Sequence, residues 1–191
     1  VSSDDWLGDP RSLRAAERIL DAAAALFAER GVAATQMADI ARAAGCSRAT
    51  LYRYFDSRRA VQLAFVHREA RRLATTLTAD LRTIPDPTAR IVEGVLASLR
   101  AVRADPLLIA WFRPADAGIT LELAQTSEVI ESIATSLFAT EPPAAQPDNA
   151  LTARWLTRII VSLLTVPGHD DNEERLFLER FVAPLITGTR A

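Results

Sequence analysis

Apolar residues recur along this chain at spacings of three and four, the pattern of helices that bury one face. Between residues 12 and 30, Ile19, Leu20, Ala23 and Phe27 form one stripe, and Gly31 supplies a left-handed stop, which predicts a first helix ending at Arg30. From about residue 57 to 82, Leu63, Val66, Ala70, Leu73 and Leu77 keep the same periodicity and predict a long helix. Asp86-Pro87 reads as an N-cap followed by proline at the first helical position, opening a helix over 87–104 with Ile91, Val95, Leu96 and Leu99 inward. Asp105-Pro106 repeats that signal for a shorter helix closing near Arg113-Pro114. A further helix is predicted over 120–139, carrying Leu123, Val129, Ile130, Ile133 and Leu137. Residues 141–148, EPPAAQPD, read as a proline-rich loop. The segments 151–166 and 174–186 are apolar around much of their circumference, the second through Leu176, Phe177, Phe181 and Leu185. No stretch alternates with the period of a strand, none repeats, and no glycine-rich phosphate loop interrupts the helices, so the fold is expected to be all-α.

The most informative stretch is residues 35–58, TQMADIARAAGCSRATLYRYFDSR, which reads as two short helices hinged at Gly45. In the first, Thr35 is placed to be an N-cap, Met37, Ile40, Ala41 and Ala44 share a face, and Gly45 sits where a left-handed stop is wanted. Gly45-Cys46 makes the turn, with Cys46 as a small apolar turn residue, and Ser47 is placed to cap the second helix. Leu51 and Phe55, four residues apart, then point inward and leave Arg48, Ala49, Tyr52 and Arg53 outside. A cation, a methyl, a phenol and a second cation can reach guanine edges, a thymine methyl and phosphates. This is the pattern of a helix-turn-helix. Plain capping and a solvated charged face account for the same residue types, so Arg48 and Arg53 stand as base readers, phosphate contacts or surface charges.

Composition decides which of these readings has support. With 191 residues and 49% hydrophobic content the chain can bury a substantial core in one or two domains. A net charge of −2 argues against nucleic acid only if it is evenly spread, and it is not. Residues 1–10 carry −3, residues 11–72 carry +6 and residues 73–191 carry −5, so the positive charge sits with the helix-turn-helix, where phosphates need it. One cysteine excludes an internal disulfide framework, and no apolar run approaches membrane-spanning length. The first ten residues lack the apolar core of a signal peptide, so the expected location is the cytoplasm, with no membrane partner. His67 and His169 are too few and too separated to suggest a metal. No nucleophile, base and oxyanion set and no cofactor motif appear, so catalysis, metal and cofactor are all expected to be absent.

The same residues carry a family resemblance. FAERG at 27–31, T-x-x-x-x-I-A-x-x-A-G at 35–45, S-x-x-T-L-Y-x-Y-F at 47–55 and D-S-R at 56–58 together resemble the DNA-binding domain of TetR-family transcriptional repressors. A lone helix-turn-helix pattern is weakly specific. Four submotifs in order within the first third of the chain are far more so. The resemblance implies a flexible tail over residues 1–10, a three-helix DNA-binding domain over 11–56, and a helical ligand-binding and dimerisation domain over 57–191. It implies phosphate-facing positions at Thr35, Ser47, Thr50, Tyr52, Tyr54 and Arg58. Two positions depart from the family pattern: Ala49 stands where glycine is frequent, limiting backbone approach to DNA, and Arg58 where lysine is common, keeping a charge for a phosphate.

The resemblance further implies a homodimer through 151–166 and 174–186, on a palindromic double-stranded DNA operator; ordinary core helices are the alternative for those segments. Trp155 is expected in the core or the dimer interface. A pocket for an unidentified small-molecule effector is expected between the long helix bearing His67 and the helices over 87–139. His67, Trp111, Phe112, Arg113 and Glu122 are its candidate contacts, with core packing as an equal account of the aromatics. The expected function is a ligand-responsive transcriptional regulator of bacterial type, a repressor released by a small, largely apolar molecule. The alternatives are a DNA-binding regulator without a small-molecule ligand, and an all-α enzyme or carrier.

Overall fold

The computed structural model describes residues 10–138 and 149–188. The expected tail over residues 1–10, save Pro10, and the loop over 141–148 lie outside them. Among the described residues every regular element is helical. The chain forms two compact units, one ending at Val66 and the other beginning at His67. The sequence placed this division after residue 56. The first unit runs ten residues further because Phe65, on the long helix, packs edge-on against Phe27 with ring centroids 6.0 Å apart.

The first unit holds α1 (Pro10–Arg30), α2 (Met37–Ala43), α3 (Arg48–Tyr54) and the start of α4 (Arg58–Leu81). The stripe Ile19, Leu20, Ala23 and Phe27 is buried, together with Ile40, Leu51, Val61 and Phe65. Each fully buried side chain of that size contributes about 1.5–3 kcal/mol. Gly31 stops α1 at φ 89, and its N–H donates to the Phe27 carbonyl.

The second unit is built around α5 (Pro87–Ala104), whose Ile91, Val95, Leu96 and Leu99 are buried as its periodicity predicts. Asp86 caps it, accepting from the Ala89 N–H at 2.7 Å, with proline at its start. Asp105 likewise caps α6 (Pro106–Ile109), which tightens into a 3-10 turn over Ala110–Phe112 and ends before Pro114. Against α5 pack α8 (Glu128–Phe138), α9 (Asn149–Thr165) and the C-terminal helix. The shared core includes Leu156, Leu164, Leu178 and Ala183.

Two elements differ from their predicted form. The single helix over 120–139 is two, α7 (Ala117–Thr126) and α8, broken at Ser127. Ser127 is extended at φ −95, ψ 112, and its hydroxyl accepts from the Ile130 N–H, so the residue starts a helix rather than continuing one. Apolar spacing runs through the break without a phase change, which hid it. The segment 174–186 begins earlier, as α10 (Asp171–Phe177), capped by Asp170. It widens to a π-helical stretch over Leu178–Val182 before α11 (Ala183–Thr187). The wide turn accommodates Pro184, whose ring clashes with the carbonyl four residues back in a regular helix and which has no N–H to donate.

Two ion pairs join α5 to α10, Arg175 with Glu93 at 2.7 Å near the surface and a more buried one that also reaches α9. Glu174 of α10 is buried, and both its carboxylate oxygens accept from Arg103 of α5, at 2.6 and 2.8 Å. Arg103 also donates to the Leu163 carbonyl near the end of α9, and the Gly168 N–H donates to Glu174. The Arg103 bond, with help from the Gly168 N–H, holds the Glu174 carboxyl below its ordinary value of 4.5 against the opposing effect of burial. Because the folded-state value is the lower one, this stabilisation is complete above about pH 4.5 and is lost as pH falls through the folded value. Acid unfolding is therefore expected to show a Glu174 component below pH 4.5 that a Glu174→Gln variant lacks, measured as proton uptake on unfolding. Arg103→Met, which leaves the carboxylate buried and unpaired, is expected to cost about 3 kcal/mol or more at pH 7 in urea denaturation.

Close packing also distinguishes two helical glycines. A Cβ on Gly94 of α5 would lie 2.7 Å from the Phe138 ring and 3.2 Å from a Leu81 methyl, whereas one on Gly118 of α7 would meet nothing within 4 Å. Overpacking of about 1–3 kcal/mol outweighs a helix-propensity gain of about 1 kcal/mol. Gly94→Ala is expected to lower the melting temperature, and Gly118→Ala to leave it unchanged or raise it.

Candidate nucleic-acid interface

The helix-turn-helix is assembled by its caps. At the end of α2 the N–H groups of Ala44, Gly45 and Cys46 donate to Ile40, Arg42 and Ala41, and Gly45 takes φ 65. A Cβ at Gly45 would meet nothing within 4 Å, so the requirement for glycine is the backbone conformation and not space. Ser47 is extended and its Oγ accepts from the Thr50 N–H at 3.0 Å, while also bonding the Thr50 hydroxyl at 2.9 Å. That cap starts α3 where the sequence placed it. Leu51 is fully buried and Phe55 half-buried, which fixes the helix's roll.

The opposite face is open. Arg48, Ala49, Tyr52 and Arg53 are exposed, whereas Thr50 and Tyr54 are half-buried beside them. The Arg53 guanidinium lies 5.5 Å from the centroid of the Tyr54 ring, a contact worth about 0.5–1 kcal/mol that limits where the cation can swing. Cys46 is half-buried at the turn.

One expected position is corrected, and a second has a partner within the unit. Thr35 is not the N-cap of α2; that position is Gln36, which makes no side-chain cap bond. Thr35 is fully buried, and its hydroxyl donates to the Gly31 carbonyl at 2.8 Å, because the turn after α1 is tight enough to bring that carbonyl within reach. Its side chain braces the turn rather than facing outward. Arg58 is half-buried, and its Nη1 donates to the Ala33 carbonyl at 2.8 Å, with a longer approach of 3.5 Å to that of Thr35.

The candidate effector contacts do not converge. Trp111 is buried at 2% exposure and Phe112 packs against the core of the second unit, which is the core-filling account. Arg113 and Glu122 are exposed, since each lies on the outer side of its turn or helix, so neither lines an interior. His67 does have a partner. Its Nε2 lies 2.7 Å from Oγ of Ser127, the residue that splits α7 from α8. Burial, with the Arg71 charge as a second cause, lowers the His67 pKa below 6.5, so the ring is neutral near pH 7. The sequence did not single out Ser127; the available signal was a serine followed by acidic residues in a first helical turn, Glu128 and Glu131. An open cleft of about 320 Å³ lies at the α9–α10 connection, lined by Leu163, Val166, His169 and Phe177 among others.

The two C-terminal helices leave a large apolar face outside. Leu151, Trp155 and Val166 of and beside α9 are exposed, as are Leu176, Phe177, Phe181 and Leu185, the last at 77%. Trp155, at 43% exposure, belongs to this surface and not to the core. Among the described residues no group of three His, Cys, Asp or Glu could hold a metal ion, and no helix is long and apolar enough to cross a membrane.

Comparison with known proteins agrees with this geometry. The profile of the bacterial regulatory proteins, tetR family, matches residues 19–65, which run from the buried stripe of α1 to Phe65. An uncharacterized HTH-type transcriptional regulator of Mycobacterium tuberculosis is 42% identical over 191 residues, covering all of this chain and 95% of its own. The HTH-type transcriptional repressor KstR of Rhodococcus jostii is 31% identical over 176 residues, covering 85% of this chain and 79% of its own. Among solved structures, the TetR family repressor AlkX of Dietzia sp., implicated in biodegradation of n-alkanes, aligns with a TM-score of 0.58 and 25% identity over 91% of this chain and 96% of that one. With the matching profile and a relative 42% identical over the whole of this chain, the chain belongs to the TetR family of bacterial DNA-binding transcriptional regulators.

Proposed function

We propose that this protein is a ligand-responsive transcriptional repressor that acts in the bacterial cytoplasm, binding a palindromic operator as a homodimer, and that it is not an enzyme. The observation that carries the DNA reading is the exposed face of α3, where Arg48, Ala49, Tyr52 and Arg53 stand together on a helix fixed by the Ser47 cap and buried Leu51. Arg48 is assigned to a base, and Ser47, Thr50, Tyr52, Arg53 and Tyr54 to the phosphate backbone and groove wall. Residues 11–56 form the DNA-binding domain in this reading, and 57–191 the regulatory and dimerisation domain.

Dimerisation rests on the apolar face of 151–166 and 174–186. Phe177, Phe181 and Leu185 recur every four residues and form one stripe on the C-terminal helix, and Leu151 and Trp155 do the same on α9. A symmetric pair would bury these stripes and hold two recognition helices for half-sites roughly 34–36 Å apart. KstR and AlkX are named repressors, and AlkX is implicated in alkane biodegradation, which supports repression and a largely apolar effector for this chain. An effector that prefers the non-binding conformation 100-fold supplies roughly 2.7 kcal/mol, enough to vacate an operator. His67, which bonds Ser127, is the candidate contact for such an effector. The burial of Trp111 and the packing of Phe112 favour a second reading, regulation without a small-molecule ligand.

The overall proposal is tested by electrophoretic shift with DNA from the protein's own promoter region. Binding that weakens steeply with salt is expected, and none at any salt would refute it. Arg48→Ala is expected to reduce operator affinity by about 1–3 kcal/mol and to relax one base position, leaving random-sequence affinity intact. Equal loss on every duplex would remove Arg48 from base reading. For the dimer, sedimentation of wild-type protein at micromolar concentration is expected to give two chains, and Phe181→Glu with Leu185→Glu to give one. A wild-type monomer that stays single on operator DNA contradicts the assembly.

A further inference from the structure

The turn that leads into the helix-turn-helix is anchored by buried Val32 and Met37 but has no side-chain cap at the start of α2. Gly31 takes φ 89, and Gln36, the N-cap of α2, makes no side-chain capping bond. The Asp39 N–H, the counterpart of the Thr50 N–H that Ser47 accepts in α3, donates to the Gln36 carbonyl at 3.0 Å and has no side-chain acceptor. An ion pair between Arg30 and Asp39, 3.8 Å apart, spans the turn, and Thr35 and Arg58 bond to its carbonyls. Thr35 donates to the Gly31 carbonyl, and Arg58, the first residue of α4, reaches across 25 positions of sequence to the Ala33 carbonyl at 2.8 Å and toward that of Thr35 at 3.5 Å. An arginine nitrogen with two N–H groups in a plane can serve two neighbouring carbonyls, and its charge makes the shorter bond a strong one. Because α2 packs on α3, whatever fixes the entry to α2 also fixes α3.

We propose that Arg58 is a positioning residue. It latches the α1–α2 turn to the start of α4 and thereby sets the attitude of the recognition helix, and its contribution to DNA binding comes from that latch rather than from a phosphate contact. The inference rests on the DNA-binding reading above but predicts a local effect that is measurable without DNA.

Arg58→Met keeps the apolar stem and removes the donors and the charge. The probes are a duplex selected by wild-type protein from a random library, and a random-sequence duplex. Affinity for the selected duplex is expected to fall about tenfold, as for loss of one charge-assisted hydrogen bond. Affinity for the random duplex and its salt dependence are expected to stay at wild-type values, and the amides of residues 37–40 to exchange with solvent faster. Gln36→Ser, which supplies the missing cap, is expected to restore much of the selected-duplex affinity in the Arg58→Met background. A cap cannot replace a phosphate contact.

The proposal is overturned if the salt slope on random duplex drops by about one unit, the sign of a lost phosphate contact. It is equally overturned if the amides of 37–40 exchange at wild-type rates, if selected-duplex affinity is unchanged, or if Gln36→Ser restores nothing. Should Arg58→Met alone not fold, the double variant carries the same salt-slope and affinity comparisons. Wild-type protein that selects no sequence would refute the DNA-binding reading instead, and the exchange rates would still decide the latch.

Discussion

Helices of seven residues do not persist in water on their own, because nucleation fixes several residues for a single hydrogen bond. Both helices of the helix-turn-helix are that short. They exist because Ile40 and Leu51 are buried in a unit whose other large side chains, Phe27 and Phe65, meet edge to face. Everything proposed for DNA depends on this burial. Leu51 inside turns Tyr52 and Arg53 outward, and Arg48 is exposed at the first position of the helix, so the core sets the roll of α3 while Ser47 and Gly45 set its ends. A recognition surface of four side chains is in this sense the reverse side of a hydrophobic contact.

Local polar bonds do what burial cannot, since apolar contact has no preferred direction. Thr35 and Arg58 hold the turn before α2, Ser47 starts α3, and Arg103 with Glu174 joins α5, the end of α9 and α10. The Arg103–Glu174 pair stands where four stretches of chain meet, at Arg103, Leu163, Gly168 and Glu174. Its geometry satisfies both carboxylate oxygens, which is the condition under which the attraction in a buried pair offsets the cost of desolvation. The same helices that it joins carry the exposed apolar stripes proposed for self-association.

The helical character of the chain, the stop of α1 at Arg30, the start of α3 after Ser47, the span of α5 and the exposed side chains of α3 were all legible beforehand. They follow from near-neighbour chemistry: periodic apolar residues, Asp-Pro starts, a serine before a helix and glycine after one. The family motifs added the order of these elements. The break at Ser127 was hidden because apolar spacing passed through it unaltered, and the π-helical stretch was hidden because hydrophobic patterning does not register a widened turn.

The sequence by itself determined most helical segments and the polar side of α3, because apolar spacing and caps are properties of residues within a few helical turns of each other, and it determined where the basic charge lies, because that is composition alone. Only the tertiary structure decided that Thr35 turns inward, that Arg58 spends donors on Ala33, that His67 meets Ser127, that Trp111 is core and that Arg113 and Glu122 are not. Those outcomes depend on which distant carbonyl, hydroxyl or ring is brought alongside. Threonine, arginine, histidine and tryptophan can serve either a surface or an interior, and the packing of helices far apart in sequence selects between them.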